Sequence, residues 1–159
     1  MKITIVCVGK VKEKYLRDAI AEYEKRLSRY CKLQVIEVVD EKTPDGAGTV
    51  VEDQIREKEA ERILKNLRLD DPVVTLEIEG KQMDSVAFAQ KIEQMGVEGV
   101  SHIQFVIGGS LGLHEKVSKV SGWKLSFSRM TFPHQLMRVI LLEQIYRGYR
   151  IINGEPYHK

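Results

Sequence analysis

Three stretches of this chain hold residues that could do chemistry. The first is His102-Ile103-Gln104-Phe105-Val106-Ile107-Gly108-Gly109-Ser110-Leu111-Gly112-Leu113-His114. Its β-branched and aromatic run stops at Gly108 and Gly109, with a third glycine at Gly112. Glycine lets a ligand approach the backbone closely, so a buried strand opening into such a loop can receive a flat or charged molecule. The same residues also suit a plain tight turn. The second stretch is Ser126-Phe127-Ser128-Arg129-Met130-Thr131-Phe132-Pro133-His134, whose short polar side chains and exposed backbone can offer N–H and C=O groups to a heterocycle. The third is the polar tail Asn153 to Lys159, where Tyr157 is a stacking ring and His158 a titratable imidazole. The tail reads equally well as a frayed end.

Arg138 stands apart. At 3.6 residues per turn it falls between Ile145 and Tyr149 on an apolar helix face, where a guanidinium must find an acceptor. That acceptor is either a carboxylate across an interface or an oxygen of a ligand or phosphate, and the ion pair is the commoner use. Lys10, Lys12 and Lys14 form a small basic cluster that reads as solvated side chains or as a phosphate contact. His102, His114 and His134 have no metal-ligand spacing, and no metal is expected. Cys7 and Cys31 fit no redox or metal pattern; Cys7 lies in an apolar strand, as a buried thiol of a reducing cytosol would.

The elements that must position these residues follow from periodicity. A length of 159 residues suits a single domain, and 43% apolar with 30% charged residues describes an ordinary soluble protein. No apolar run is long enough to span a membrane, and Met1 leads directly into a strand rather than a signal peptide. The net charge of +2 argues against a protein that scans RNA by electrostatics alone, while leaving docking on a shaped RNA site open. Strands are expected at Ile3–Val8, Leu33–Val39, Val73–Ile78, Ile103–Ile107 and Trp123–Phe127. Helices are expected at Leu16–Tyr30, Val51–Leu67 (exposed and only partly packed), from an Asp84 or Ser85 cap to Met95, briefly from His114, and from Pro133 to Ile152. Residues 43–50 form a loop. Strand and helix alternate, which predicts an α/β fold with a mainly parallel sheet covered on both faces. The last helix is apolar around most of its circumference, with Glu143, Arg147 and Arg150 as a narrow polar stripe. Such a helix is buried on more than one side, and a second copy of the chain is the simplest cover, so a homodimer is expected.

The segments VIGGSLGL, LSFSRMTFPHQLMRVILLEQIYR and the terminal PYHK together resemble the bacterial ribosomal RNA large subunit methyltransferase H family of the SPOUT superfamily, and the likeness runs from MKITIVCVGK to GEPYHK. The resemblance implies S-adenosylmethionine as methyl donor, N3 of a pseudouridine in 23S ribosomal RNA as acceptor, the assembled ribosome as substrate carrier, a homodimer and a C-terminal trefoil knot. Pattern reasoning alone would have excluded a knot. Carried over by position, the donor pocket falls on Leu76, Gly108, Phe127, Ser128, Arg129, Met130, Thr131 and Phe132. The acceptor side falls on Arg138, Tyr157 and His158, with the tail reaching the partner's pocket. In that reading His158 assists proton removal and Arg138 steadies the anion. Two rivals remain: a non-catalytic dimeric RNA-docking module of the same fold, and a nucleotide-dependent oxidoreductase. The second is disfavoured because the spacing of Gly108, Gly109 and Gly112 is not G-x-G-x-x-G.

Overall fold

The computed structural model describes residues 1–159 and follows the expected alternation. In chain order the elements are β1 (Lys2–Val8), α1 (Lys14–Leu27), β2 (Lys32–Val38), α2 (Thr49–Lys65) and β3 (Val73–Gln82). Then come α3 (Ser85–Val97), β4 (His102–Ile107), α4 (Glu115–Ser118), β5 (Trp123–Ser126) and α5 (His134–Ile152). The strands form one sheet in the order β2-β1-β4-β3-β5, and every pairing is parallel. Parallel strands need crossover connections, which here are mostly helical, and the helices cover both faces.

Strand alternation divides the core in two. Ile3, Ile5 and Cys7 of β1 point to the same face as Ile103, Phe105 and Ile107 of β4, where α1, α3 and α5 bring Leu16, Ile20, Phe88, Ile92, Leu141 and Ile145. Val6 and Val8 point the other way, with Val73 and Val106, onto Ala60 and Ile63 of α2 and Val117 of α4. Burying a side chain such as Phe105 contributes ~1.5–3 kcal/mol. Burial also pushes the thiols of Cys7 and Cys31 up to about 11, which keeps both protonated and unreactive at neutral pH.

The buried polar side chains on β1 and β4 are satisfied by the loop that precedes β3. The His102 ring lies 2.8 Å from Thr4 Oγ1 and 2.7 Å from Asp71 Oδ2. Gln104 accepts from the Arg68 N–H at 2.7 Å and donates to the Arg68 carbonyl at 2.8 Å. Such pairing offsets the cost of burial and frees the carboxyl ends of the strands for a site.

Several sequence expectations need correction. β3 does not stop at Ile78: it pairs with β5 up to Leu76, bulges, and pairs again at Lys81 and Gln82. α2 is packed rather than loosely held, because Ile55, Glu59, Ala60 and Ile63 repeat at helical spacing and are all buried. Of its two expected caps α3 takes Asp84, which accepts from the Ala87 N–H at 2.7 Å, but the helix runs past Met95 and Gly96 to Val97. No helix is long and apolar enough to cross a membrane.

Candidate active site

Ligands of open parallel sheets bind beyond the carboxyl ends of the strands, and there this sheet opens into a crevice of ≈ 600 Å³. β3 contributes Leu76, Glu77 and Ile78; β4 contributes Ile107; β5 contributes Leu125 and Ser126. The loop after β4 forms one wall. The loop after β5 and the first turn of α5, through His134 and Met137, form the other. Of the residues singled out for a donor pocket, Leu76, Gly108, Phe127, Ser128, Met130, Thr131 and Phe132 all line this space, and Arg129 does not.

Local chemistry explains both walls. A Cβ on Gly108 would lie 2.9 Å from the Gly112 carbonyl carbon and 3.0 Å from its oxygen, so only glycine fits. The hairpin behind it closes through the Gly112 N–H donating to the Gly109 carbonyl at 3.1 Å. On the opposite wall, Ser128 Oγ accepts from the Met130 N–H at 2.9 Å, and Ser126 Oγ donates to the Ser128 carbonyl at 3.1 Å. Those two hydroxyls fix the turn and leave the remaining backbone groups of residues 127–132 for a guest.

Two ionisable side chains stand in these walls: Glu77, which sequence reasoning did not single out, and His134, which closes the second candidate stretch without a chemical role of its own. Glu77 accepts from Ser118 Oγ at 2.9 and 3.0 Å and from Thr75 Oγ1 at 2.6 Å. No periodicity signals it, because it sits where β3 leaves its register. His134 ends the polar stretch that begins at Ser126 and has no metal-ligand spacing. Burial, and then the nearby Arg138 guanidinium, hold its imidazole below the usual 6.5, with Asp40 pulling the other way. Its position, one residue after Pro133 at a helix start facing a glycine loop, was the available signal.

The three residues assigned to the acceptor side lie outside this lining. Arg138 is 3% exposed and donates to Glu37 Oε2 at 2.6 Å and to the Gly9 carbonyl at 3.2 Å. Its carboxylate therefore comes from β2 of the same chain, not from across an interface. It sits one turn beyond His134, behind the crevice wall. The tail is docked rather than frayed, and the polar stripe of α5 is its dock. Arg150 donates to Glu155 at 2.7 Å and to the Pro156 carbonyl at 2.8 Å. Tyr157 Oη donates to Glu143 at 3.1 Å, and its ring meets Tyr146 edge-on at 5.0 Å. His158 lies 3.2 Å from Arg147 in a hollow of ≈ 400 Å³ that shares Leu125 and Phe127 with the crevice. In the basic cluster, Lys14 pairs with Asp18 at 2.8 Å, whereas Lys10 and Lys12 are exposed. A larger depression of ≈ 850 Å³ runs beside the outer strand β2 near the amino ends of β1 and β2, away from the carboxyl ends where parallel sheets bind ligands.

A parallel sheet whose third, fourth and fifth strands end around a glycine-walled crevice is what a SPOUT-type methyltransferase fold provides. Residues 1–158 match the family described as predicted SPOUT methyltransferase, and the chain belongs to that family. The ribosomal RNA large subunit methyltransferase H of Bifidobacterium adolescentis is 64% identical over 159 residues, with 100% of both chains covered. The protein of the same name from Clostridium tetani is 60% identical over the same span, again covering 100% of each. A solved structure of a probable methylase family protein from Haemophilus influenzae Rd KW20 aligns with 99% of this chain and 70% of its own, at a TM-score of 0.57 and 16% identity. That likeness is one of fold.

Proposed function

We propose that this protein transfers the methyl group of S-adenosylmethionine to N3 of a pseudouridine in 23S ribosomal RNA, as a cytoplasmic homodimer acting on the assembled ribosome. The observation that carries the reading is the convergence of Leu76, Gly108 and the loop from Phe127 to Phe132 on one crevice. Full-length relatives named for the same activity on large-subunit RNA support it.

The residues present suit this donor. The Gly108 backbone permits a close flat approach, Leu76, Ile107 and Phe127 supply apolar surface for a purine, and the loop from Phe127 through Arg129 to Phe132 supplies peptide groups. When bound, the sulfonium supplies an already activated methyl group, so the chain's main task is alignment, worth ~7–11 kcal/mol when the geometry is right. The reaction as proposed draws on no metal. On the acceptor side, Arg138 acts from behind the wall as a fixed positive charge, and Tyr157 and His158 offer a ring and an imidazole to the RNA.

Dimerisation is supported by α5. Ile140, Gln144, Arg147 and Ile151 recur along one stripe of this helix, and all four are only half-buried in the single chain. Gln144 accepts from Ser85 and Arg147 is held by the tail, while Ile140 and Ile151 supply apolar surface. A second copy over that stripe would lie beside the docked tails. The knot characteristic of the family is compatible with β5 pairing beside β3 and α5 then turning back across the sheet.

The test is calorimetry with S-adenosylmethionine paired with a methylation assay on ribosomes, for the full chain and for a chain lacking Tyr157 to Lys159. The full chain should bind and methylate; the shortened chain should bind within about twofold and not methylate. Donor affinity lost on truncation would count against the acceptor-side role of the tail. No binding heat with the full chain would favour the RNA-docking module instead.

A further inference from the structure

Methylating an imide nitrogen has a requirement that alignment does not meet: the nitrogen's proton must leave. Two ionisable side chains stand in the crevice walls, and they differ in availability. The Glu77 carboxylate is taken up by the hydroxyls of Ser118 and Thr75. The ring of His134 is half-buried in the opposite wall at the mouth of α5, free of hydrogen bonds of that kind. Its Nε2 and the Asp40 side chain crowd the same point beside Gly9, within 3.7 and 3.8 Å of where a Cβ would stand.

We propose that His134 is the general base that takes the proton from the acceptor nitrogen, with the Asp40 carboxylate offsetting the charge it gains. The inference rests on the methyl-transfer reading above. In this step the acceptor nitrogen forms its bond to the methyl carbon as the carbon–sulphur bond of the sulfonium donor breaks. That bond's electron pair stays on sulphur, leaving a neutral thioether. The imide proton passes to a ring nitrogen of His134, which becomes an imidazolium and later releases the proton to water.

The charged surroundings fit the task. Arg138 lies one turn along α5, paired with Glu37 of β2. Asp40 approaches from the segment after β2, Lys10 follows Gly9 after β1, and Glu77 of β3 stands across the crevice. Burial and Arg138 together keep the ring neutral in the physiological range, the form a base requires, and Asp40 keeps protonation within reach. His158 is placed differently, held by Arg147 behind Phe127 rather than in the crevice.

Three measurements test this on the full-length protein: the pH dependence of kcat/KM on ribosomes, S-adenosylmethionine affinity by calorimetry, and NMR titration of the His134 ring in the free protein. The wild-type rate should fall on the acid side with an inflection below pH 6.5, and the ring should titrate there too. H134Q and H134N should lower kcat by ~10²–10⁴-fold, abolish that inflection and bind the donor within about twofold. The proposal is overturned if either variant keeps kcat within threefold and retains the inflection. It is overturned equally if donor affinity falls in step with kcat, since His134 would then be only a wall. A ring titrating at or above 6.5 refutes it without any variant. A wild-type protein that neither binds donor nor methylates would instead sink the underlying methyl-transfer reading.

Discussion

The glycine wall offers the sharpest test of the crevice. In Gly108→Ala the added carbon would stand 2.9 Å from one backbone carbon, 3.0 Å from a backbone oxygen and 3.0 Å from Leu113 Cδ2. Favourable carbon contacts begin near ~3.5 Å, so the hairpin must retreat by roughly half an ångström or more. Overpacking of this kind costs ~1–3 kcal/mol. The hairpin carries the crevice wall with it, and a misplacement approaching 1 Å costs ~10²-fold in a well-aligned reaction. Gly112→Ala is the control: nothing lies within 4 Å of its Cβ, but its φ of +83° makes any side chain strained, at ~1–2 kcal/mol. Urea denaturation and donor calorimetry on both variants should show similar losses of stability, with donor affinity falling at least tenfold in Gly108→Ala and much less in Gly112→Ala. Donor binding by Gly108→Ala within twofold of wild type would refute the idea that this backbone touches the ligand.

Two further outcomes follow from buried charge. Glu37→Gln should destabilise by ~2 kcal/mol and Arg138→Met by ~1 kcal/mol in urea melts. The first strands a guanidinium whose side chain is 4% exposed, whereas the second leaves a carboxylate that is 39% exposed and can hydrate; the reverse order would contradict this placement. Glu59 lies behind the glycine loop, where burial raises its carboxyl above the usual 4.5 despite the Glu41 N–H donating to it at 3.0 Å. The folded state thus binds that proton more tightly than the unfolded chain, so stability is fully retained below pH 4.5 and is lost as pH rises through the raised value. Glu59→Gln keeps an acceptor and should raise the melting temperature at pH 7 with little change near pH 4; a loss at pH 7 would contradict the assignment.

Much of this architecture is legible from residue order because the physical signals are strong. Ile3 to Val8 and Ile103 to Ile107 are buried on both faces, and their apolar runs, interrupted only by Thr4 and Gln104, announce central strands. The crevice was readable for a related reason: strand ends followed by Gly108 and by Ser126 to Pro133 are backbone features, and the backbone is what those residue types control. Arg138 was readable only in part. Its burial followed from helical period, but the identity of its acceptor depended on which strand lay beneath, and Glu37 is 101 positions away in sequence. The facing placement of Glu77 and His134 across the crevice is not legible in the sequence, because it arises from the juxtaposition of β3 and α5. The tail reads either as frayed or as functional from sequence, because its partners Glu143, Arg147 and Arg150 lie on α5 and meet it only in the fold.

The double pairing of β3 with β5 has a consequence for how this crevice can change. Leu76 and Lys81 both face Leu125, so the residues between them are a detour from an otherwise regular ladder. Glu77 and Ile78, which furnish one side of the crevice, belong to that detour. Lengthening or shortening it would redraw the cleft's outline while every inter-strand bond on either side stayed as it is. Ligand preference on this scaffold can thus drift by loop length alone, without any renegotiation of the sheet.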